Sequence, residues 1–90
     1  MKRKRFLLSG EVQGVGFRWY VRAIARERHL PGWVRNNPDG TVEIVVEGSP
    51  EEITGFIGAI RAGSLGRNVG DIQQTEESVV GESSFDIRYA

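Results

Sequence analysis

Ninety residues suffice for one domain that buries roughly 60% of its unfolded surface, and they leave no room for a second. Twelve basic and twelve acidic side chains cancel, so no overall field draws nucleic acid or an anionic membrane, and no apolar run reaches signal-peptide or membrane-spanning length. Without cysteine there are no disulfides, thiolate nucleophiles or cysteine-bound zinc, and one histidine, His29, is too few for a His-based metal site; the expectation is a chain inside the cell with no metal and no cofactor.

The chain opens on a basic run, Lys2, Arg3, Lys4 and Arg5. It reads as a solvated tail, frayed over residues 1–4, rather than as a polyanion site. Residues 5–12 then read as an interior strand, with Phe6, Leu8, Gly10 and Val12 on one face and Leu7 on the other. At its end stands Gln13-Gly14-Val15-Gly16-Phe17-Arg18. Two glycines around one valine let the backbone turn tightly, take positive φ and present its N–H groups to whatever lies beyond. The helix that follows adds its own unsatisfied N–H groups and the positive end of its dipole. Arg18 in the first turn opposes that dipole at a local cost of roughly 0.3–1 kcal/mol, which an anion held there would offset. A Gly-x-Gly at this place also serves as a bare tight connection, and an early-helix arginine as a solvated surface residue, so the residues alone leave a bound anion open. Trp19 occupies the third glycine position of G-x-G-x-x-G, and no Gly-Lys-Ser/Thr follows, which excludes the Rossmann and P-loop phosphate turns.

Phe17, Val21, Ile24 and Ala25 fall at i, i+4, i+7 and i+8, predicting a helix over 17–29 with that stripe on a sheet; Trp19 and Tyr20 read as packing residues. Pro31-Gly32 stops the helix. Trp33 to Asn36 and Thr41 to Glu47 form a hairpin around Asn37-Pro38-Asp39-Gly40, a type I turn with Gly40 in the left-handed conformation. Turn chemistry explains Asn37. It does not explain Asn36, which lies at a strand end on the side of Val34 and either caps a loop or offers its amide to a ligand. Ser49, Pro50 and Glu52 spell a capped helix start, with Ile53, Phe56, Ile57 and Ile60 as its buried stripe and Gly63 as its stop. Residues 64–68 read as loop, Val69 to Glu77 as a weak strand anchored by Ile72, 78–84 as a polar connection, and Phe85, Ile87 and Tyr89 as the alternating side of a last strand. This order predicts an α+β ferredoxin-like sandwich, βαββαβ with a short closing strand, in which two helices cover one face of an antiparallel sheet.

Val12-Gln13-Gly14-Val15-Gly16-Phe17-Arg18 and Gly32-Trp33-Val34-Arg35-Asn36, with Gly40, Val42 and Gly48 at the matching offsets and the ending Phe85-Asp86-Ile87-Arg88-Tyr89, closely resemble the signatures of the acylphosphatase family. The likeness covers nearly the whole chain and thins only over Gly63 to Val69, where relatives often carry a proline-rich turn. It implies the same ferredoxin-like fold and a metal-independent hydrolysis of the carboxyl-phosphate anhydride of a small acyl phosphate, with inorganic phosphate as product and inhibitor. The phosphate-binding role falls on Arg18 and the backbone of Gln13, Gly14, Val15, Gly16 and Phe17, and the water-positioning role on Asn36. The implied setting is a cytoplasmic, free-standing monomer, since the chain ends just after its last strand, with neither nucleic acid nor membrane as partner. Two other readings stay open: a catalytically silent phosphate-binding or regulatory domain of the same fold, and an RNA-recognition module. The second is disfavoured because Thr41 to Glu47 carries no aromatic residue on which a base could stack.

Overall fold

The computed structural model describes residues 1–89. The elements are β1 (Lys2–Gly10), α1 (Phe17–Glu27), β2 (Gly32–Asn36), β3 (Val42–Gly48), α2 (Pro50–Ala62), β4 (Val69–Glu77) and β5 (Phe85–Arg88), with a 3-10 turn, Gly66–Asn68, before β4. The sheet order is β4-β1-β3-β2-β5. The first four strands pair antiparallel; β5 runs parallel to β2, which makes the expected antiparallel sheet a mixed one at that edge. This is the ferredoxin-like sandwich with one added strand.

The core lies between the helices and one sheet face. Phe17, Val21 and Ala25 of α1 and Ile53, Phe56 and Ile60 of α2 pack against Phe6, Leu8, Val34, Val42, Ile44 and Val46. Local chemistry sets the ends of these elements. Ser49 accepts from the Glu52 N–H at 3.1 Å while Glu52 accepts from the Ser49 N–H at 2.8 Å, closing the expected capping box. The Asn37–Gly40 turn forms as predicted, with the Gly40 N–H on the Asn37 carbonyl at 3.1 Å and Gly40 at φ 92°. Helix α1 stops at Glu27, earlier than the predicted 29, because His29 takes the left-handed conformation at φ 56°.

The amino end corrects the sequence reading. Residues 1–4 are not a frayed tail: β1 begins at Lys2, and Arg3 is buried. The physical reason lies across the sheet. Arg3 faces Glu47 in β3 and Glu77 in β4, and it pairs with both and with Glu82. Arg5 pairs with Glu43 and Glu77, and Lys2 with Glu76. Arg3 and Arg5, which look purely basic along the chain, are neutralised on the sheet face that no helix covers by carboxylates from distant strands and the 78–84 connection.

Candidate active site

Strand register gathers the expected residues at one end of the sheet. Leu8, Val42 and Asn36 stand in a single row across β1, β3 and β2. The loop after Gly10 therefore leaves the sheet at the end where β2 finishes on Asn36. Gly14 and Gly16 both hold φ 77°, and nothing would lie within 4 Å of a Cβ on either. Backbone conformation, not crowding, requires glycine there.

The loop presents donors and retains none of them for itself. Gly16 is the N-cap of α1 and supplies no side-chain cap, and no acidic residue stands in the first turn. The first amide to close on the helix is that of Tyr20, on the Gly16 carbonyl at 3.0 Å. Among the described residues, the N–H groups of Gly14, Val15, Gly16, Phe17 and Arg18 donate to nothing. The half-buried Arg18 makes no ion pair or side-chain hydrogen bond among them either; its guanidinium carbon lies 4.9 Å over the ring of Tyr89.

Gln13 ties this loop to the hairpin. Its Nε2 donates to the carbonyls of Asn37 and Thr41, each at 2.9 Å, which fixes the loop against the residues beside Asn36. The two asparagines then differ as their positions suggested. Asn37 is satisfied within the turn: its Nδ2 donates to Thr41 Oγ1 at 3.0 Å and its N–H to the Thr41 carbonyl at 2.9 Å. Asn36 has no side-chain partner among the described residues, and its Oδ1 is buried without one. A buried acceptor left unpaired costs about 1–3 kcal/mol, and no hydrogen bond within the described residues offsets that cost at Asn36.

The deeper clefts lie elsewhere. One sits between α2 and β4, lined by Ile53, Ile57 and Ile72; another runs along Arg26, His29 and Ser84. Neither brings together a run of amides and an unpaired cation, and a small anion needs converging donors more than enclosed volume. Among the described residues no three His, Cys, Asp or Glu side chains stand close enough together to hold a metal ion.

Three features at this end escaped the sequence. The bridging by the Gln13 side chain needs the hairpin folded beside the loop, and nothing local announces it. Tyr89 alternates with Phe85 and Ile87 and so looked like a packed strand residue; it is 71% exposed, because β5 ends at Arg88, level with Arg35, and the next residue clears the sheet. Trp19 looked like a packing residue and is 55% exposed, with the Arg22 guanidinium 3.9 Å from its ring centre. Tyr20 does pack, its hydroxyl donating to the Ile60 carbonyl at 2.6 Å.

A glycine-rich turn opening a helix, an arginine in the first turn and an asparagine at the end of the facing strand are the features that tied this sequence to one family, and the family model for acylphosphatase matches residues 4–87. The chain belongs to the acylphosphatase family. It is 47% identical over 91 aligned positions to the acylphosphatase of Methanospirillum hungatei, with 98% of each chain covered. It is 43% identical to that of Bacillus subtilis over the whole of both chains. The crystal structure of the B. subtilis acylphosphatase superposes with a TM-score of 0.91, covering 99% of this chain and all of the other. Family membership makes the protein an acylphosphatase by homology, and the sandwich described above is the fold of its relatives.

Proposed function

We propose that the residue 13–18 loop and Arg18 hold the phosphate of an acyl phosphate, and that Asn36 orients the water that hydrolyses it. The observation carrying this reading is the set of five consecutive amides and one guanidinium at the start of α1 that have no partner among the described residues. Amides at a helix N-terminus suit the non-bridging oxygens of a phosphate, and Arg18 supplies a planar fork for two of them. The Tyr89 ring against one face of the guanidinium leaves its N–H edge for the anion.

The chemistry asks little more than this. In the anhydride R–C(O)–O–PO₃²⁻ the leaving group is already a stabilised carboxylate, so positioning and charge stabilisation dominate. Water attacks phosphorus in line with the anhydride oxygen; the P–O bond to the carboxylate breaks and its electron pair leaves with the carboxylate. One water proton passes to a phosphate oxygen, giving orthophosphate without a separate protein base. The unpaired carboxamide of Asn36 holds the water on the attacking side. Donors fixed before the substrate arrives need no reorganisation as charge moves onto the departing oxygen.

Phosphate release from acetyl phosphate, followed in EDTA, tests this reading. Turnover unaffected by the chelator, competitively inhibited by inorganic phosphate and lost with that inhibition in Arg18→Ala is the expected result. Inhibition by phosphate that persists unchanged in Arg18→Ala overturns the cradle; phosphate binding without turnover in the parent protein leaves a silent binding domain.

A further inference from the structure

Six large apolar side chains are exposed among the described residues: Met1, Val15, Trp19, Val79, Val80 and Tyr89. Three of them collect at the cradle. Val15 lies within the loop, Tyr89 packs on Arg18, and Trp19 is the residue after Arg18. Trp19 and Arg22 stand three residues apart within α1, a spacing that puts both side chains on one helical face. Phe17 points into the core, so Trp19, two residues and about 200° further round the helix, points away from it. Core packing therefore does not account for an indole that is 55% exposed. The indole is nonetheless held in place: Arg22 covers it at 3.9 Å from the ring centre.

We propose that Trp19, pinned by Arg22, is the platform on which the acyl half of the substrate rests, and that it makes the enzyme select flat, apolar acyl groups over short aliphatic ones. The proposal rests on phosphate binding by the loop of residues 13–18. If phosphorus sits on those amides, the acyl carbon is only one oxygen away, and consecutive Cα atoms are about 3.8 Å apart. A side chain that starts one residue beyond Arg18 and projects outward is then among the first surfaces the acyl group meets. An aromatic acyl group conjugated with its carbonyl is planar and apolar, and it gains from stacking on an indole or from its edge. An acetyl group offers no flat apolar surface to stack on the ring. Neither Val15 nor Trp19 is needed by the reaction at phosphorus, so the platform adjusts which anhydride is taken, not how it is cleaved.

The test compares benzoyl phosphate with acetyl phosphate in the parent protein, Trp19→Ala, Trp19→Phe and Val79→Ala. In Trp19→Ala the preference for benzoyl over acetyl phosphate, as a ratio of kcat/KM, should fall about tenfold, carried by KM for benzoyl phosphate, while the inhibition constant for inorganic phosphate stays where it was. Trp19→Phe should restore most of the preference, and Val79→Ala, a truncation of another exposed apolar side chain outside the cradle, should leave the ratio unchanged. An unchanged ratio in Trp19→Ala, or equal losses on both substrates, overturns the platform while leaving the phosphate cradle intact. Failure of the parent protein to hydrolyse either acyl phosphate overturns the proposed hydrolysis and the platform with it.

Discussion

The molecule builds two groups of backbone amides, one at each end of the sheet, and in one of them the chain's own carboxylate is the acceptor. At the far end of β3 the carboxylate of Glu47 accepts from the N–H groups of Val80, Gly81 and Glu82 at 2.8, 3.2 and 2.9 Å, and from Arg3 at 3.1 Å. At the near end, five amides and Arg18 stand in a comparable combination with no acceptor among the described residues. The first is what a satisfied anion site looks like when the chain supplies its own anion. The second has the same chemistry without the carboxylate, on a helix that also lacks the usual acidic residue in its first turn. The contrast sets a buried, permanent structural anion beside the donors that the proposed function assigns to a substrate phosphate.

Breaking the group around Glu47 should cost the most. Arg3→Ala removes the cation from a fully buried carboxylate, and breaking one side of such a pair costs about 3–5 kcal/mol; a denaturation midpoint checks this, with activity per folded molecule expected to hold. The pH dependence follows from the same site. Burial works against the Glu47 carboxylate, yet the amides of Val80 and Glu82 together with Arg3 outweigh it and hold Glu47 below the ordinary carboxylate range. Glu77, bonded to Arg5 and Arg3, is lowered as well. A carboxyl whose folded pKa is lowered contributes stability above its unfolded value, near pH 4.3 or roughly so for glutamate, and loses it as pH falls through the folded value. Denaturant midpoints of the parent protein should therefore drop as pH falls below about 4, and drop less steeply in Arg3→Ala.

Removing the cation from the other group should affect function and spare the fold. Arg18→Ala should lower kcat/KM for an acyl phosphate by about 10²–10³-fold and weaken inhibition by phosphate, while the denaturation midpoint stays level or rises slightly as the conflict with the helix dipole is relieved. Asn36→Ala should cut kcat by about 10²-fold with little change in phosphate affinity. Asn37→Ala should do the least: a loss of about 0.5–1 kcal/mol in stability, since its bonds to Thr41 hold the turn, with kcat nearly unmoved. Exchange of these last two outcomes would mean that the water-holding role belongs to the turn residue.

What the sequence made legible divides along the same line as the two groups. The one at the start of α1 is built from neighbours: glycines, helix start and arginine lie within six residues, so its donors were readable in order. The hairpin turn at Asn37–Gly40, the capping box at Ser49 and Glu52, and β4 at Val69–Glu77 were equally local and form where the patterns placed them. The group around Glu47 is made from β1, β3 and the 78–84 connection, joined only by strand order. Along the chain, Arg3 looked like part of a solvated tail and Glu47 was only the last residue of a hairpin strand. Their pairing became readable only once β1 lay between β3 and β4. The Gln13 bridge to Asn37 and Thr41 and the parallel seating of β5, which brings Tyr89 to Arg18, escaped for the same reason.

The most direct measurement is a titration of ¹⁵N-labelled protein with inorganic phosphate, read amide by amide in NMR spectra at moderate salt. The account predicts saturable shifts confined to Gly14, Val15, Gly16, Phe17 and Arg18 and their immediate neighbours, abolished in Arg18→Ala, while the amides of Val80, Gly81 and Glu82 stay still because Glu47 already occupies them. Shifts that leave residues 14–18 unmoved, or that spread over the basic surface and disappear with salt, would contradict it.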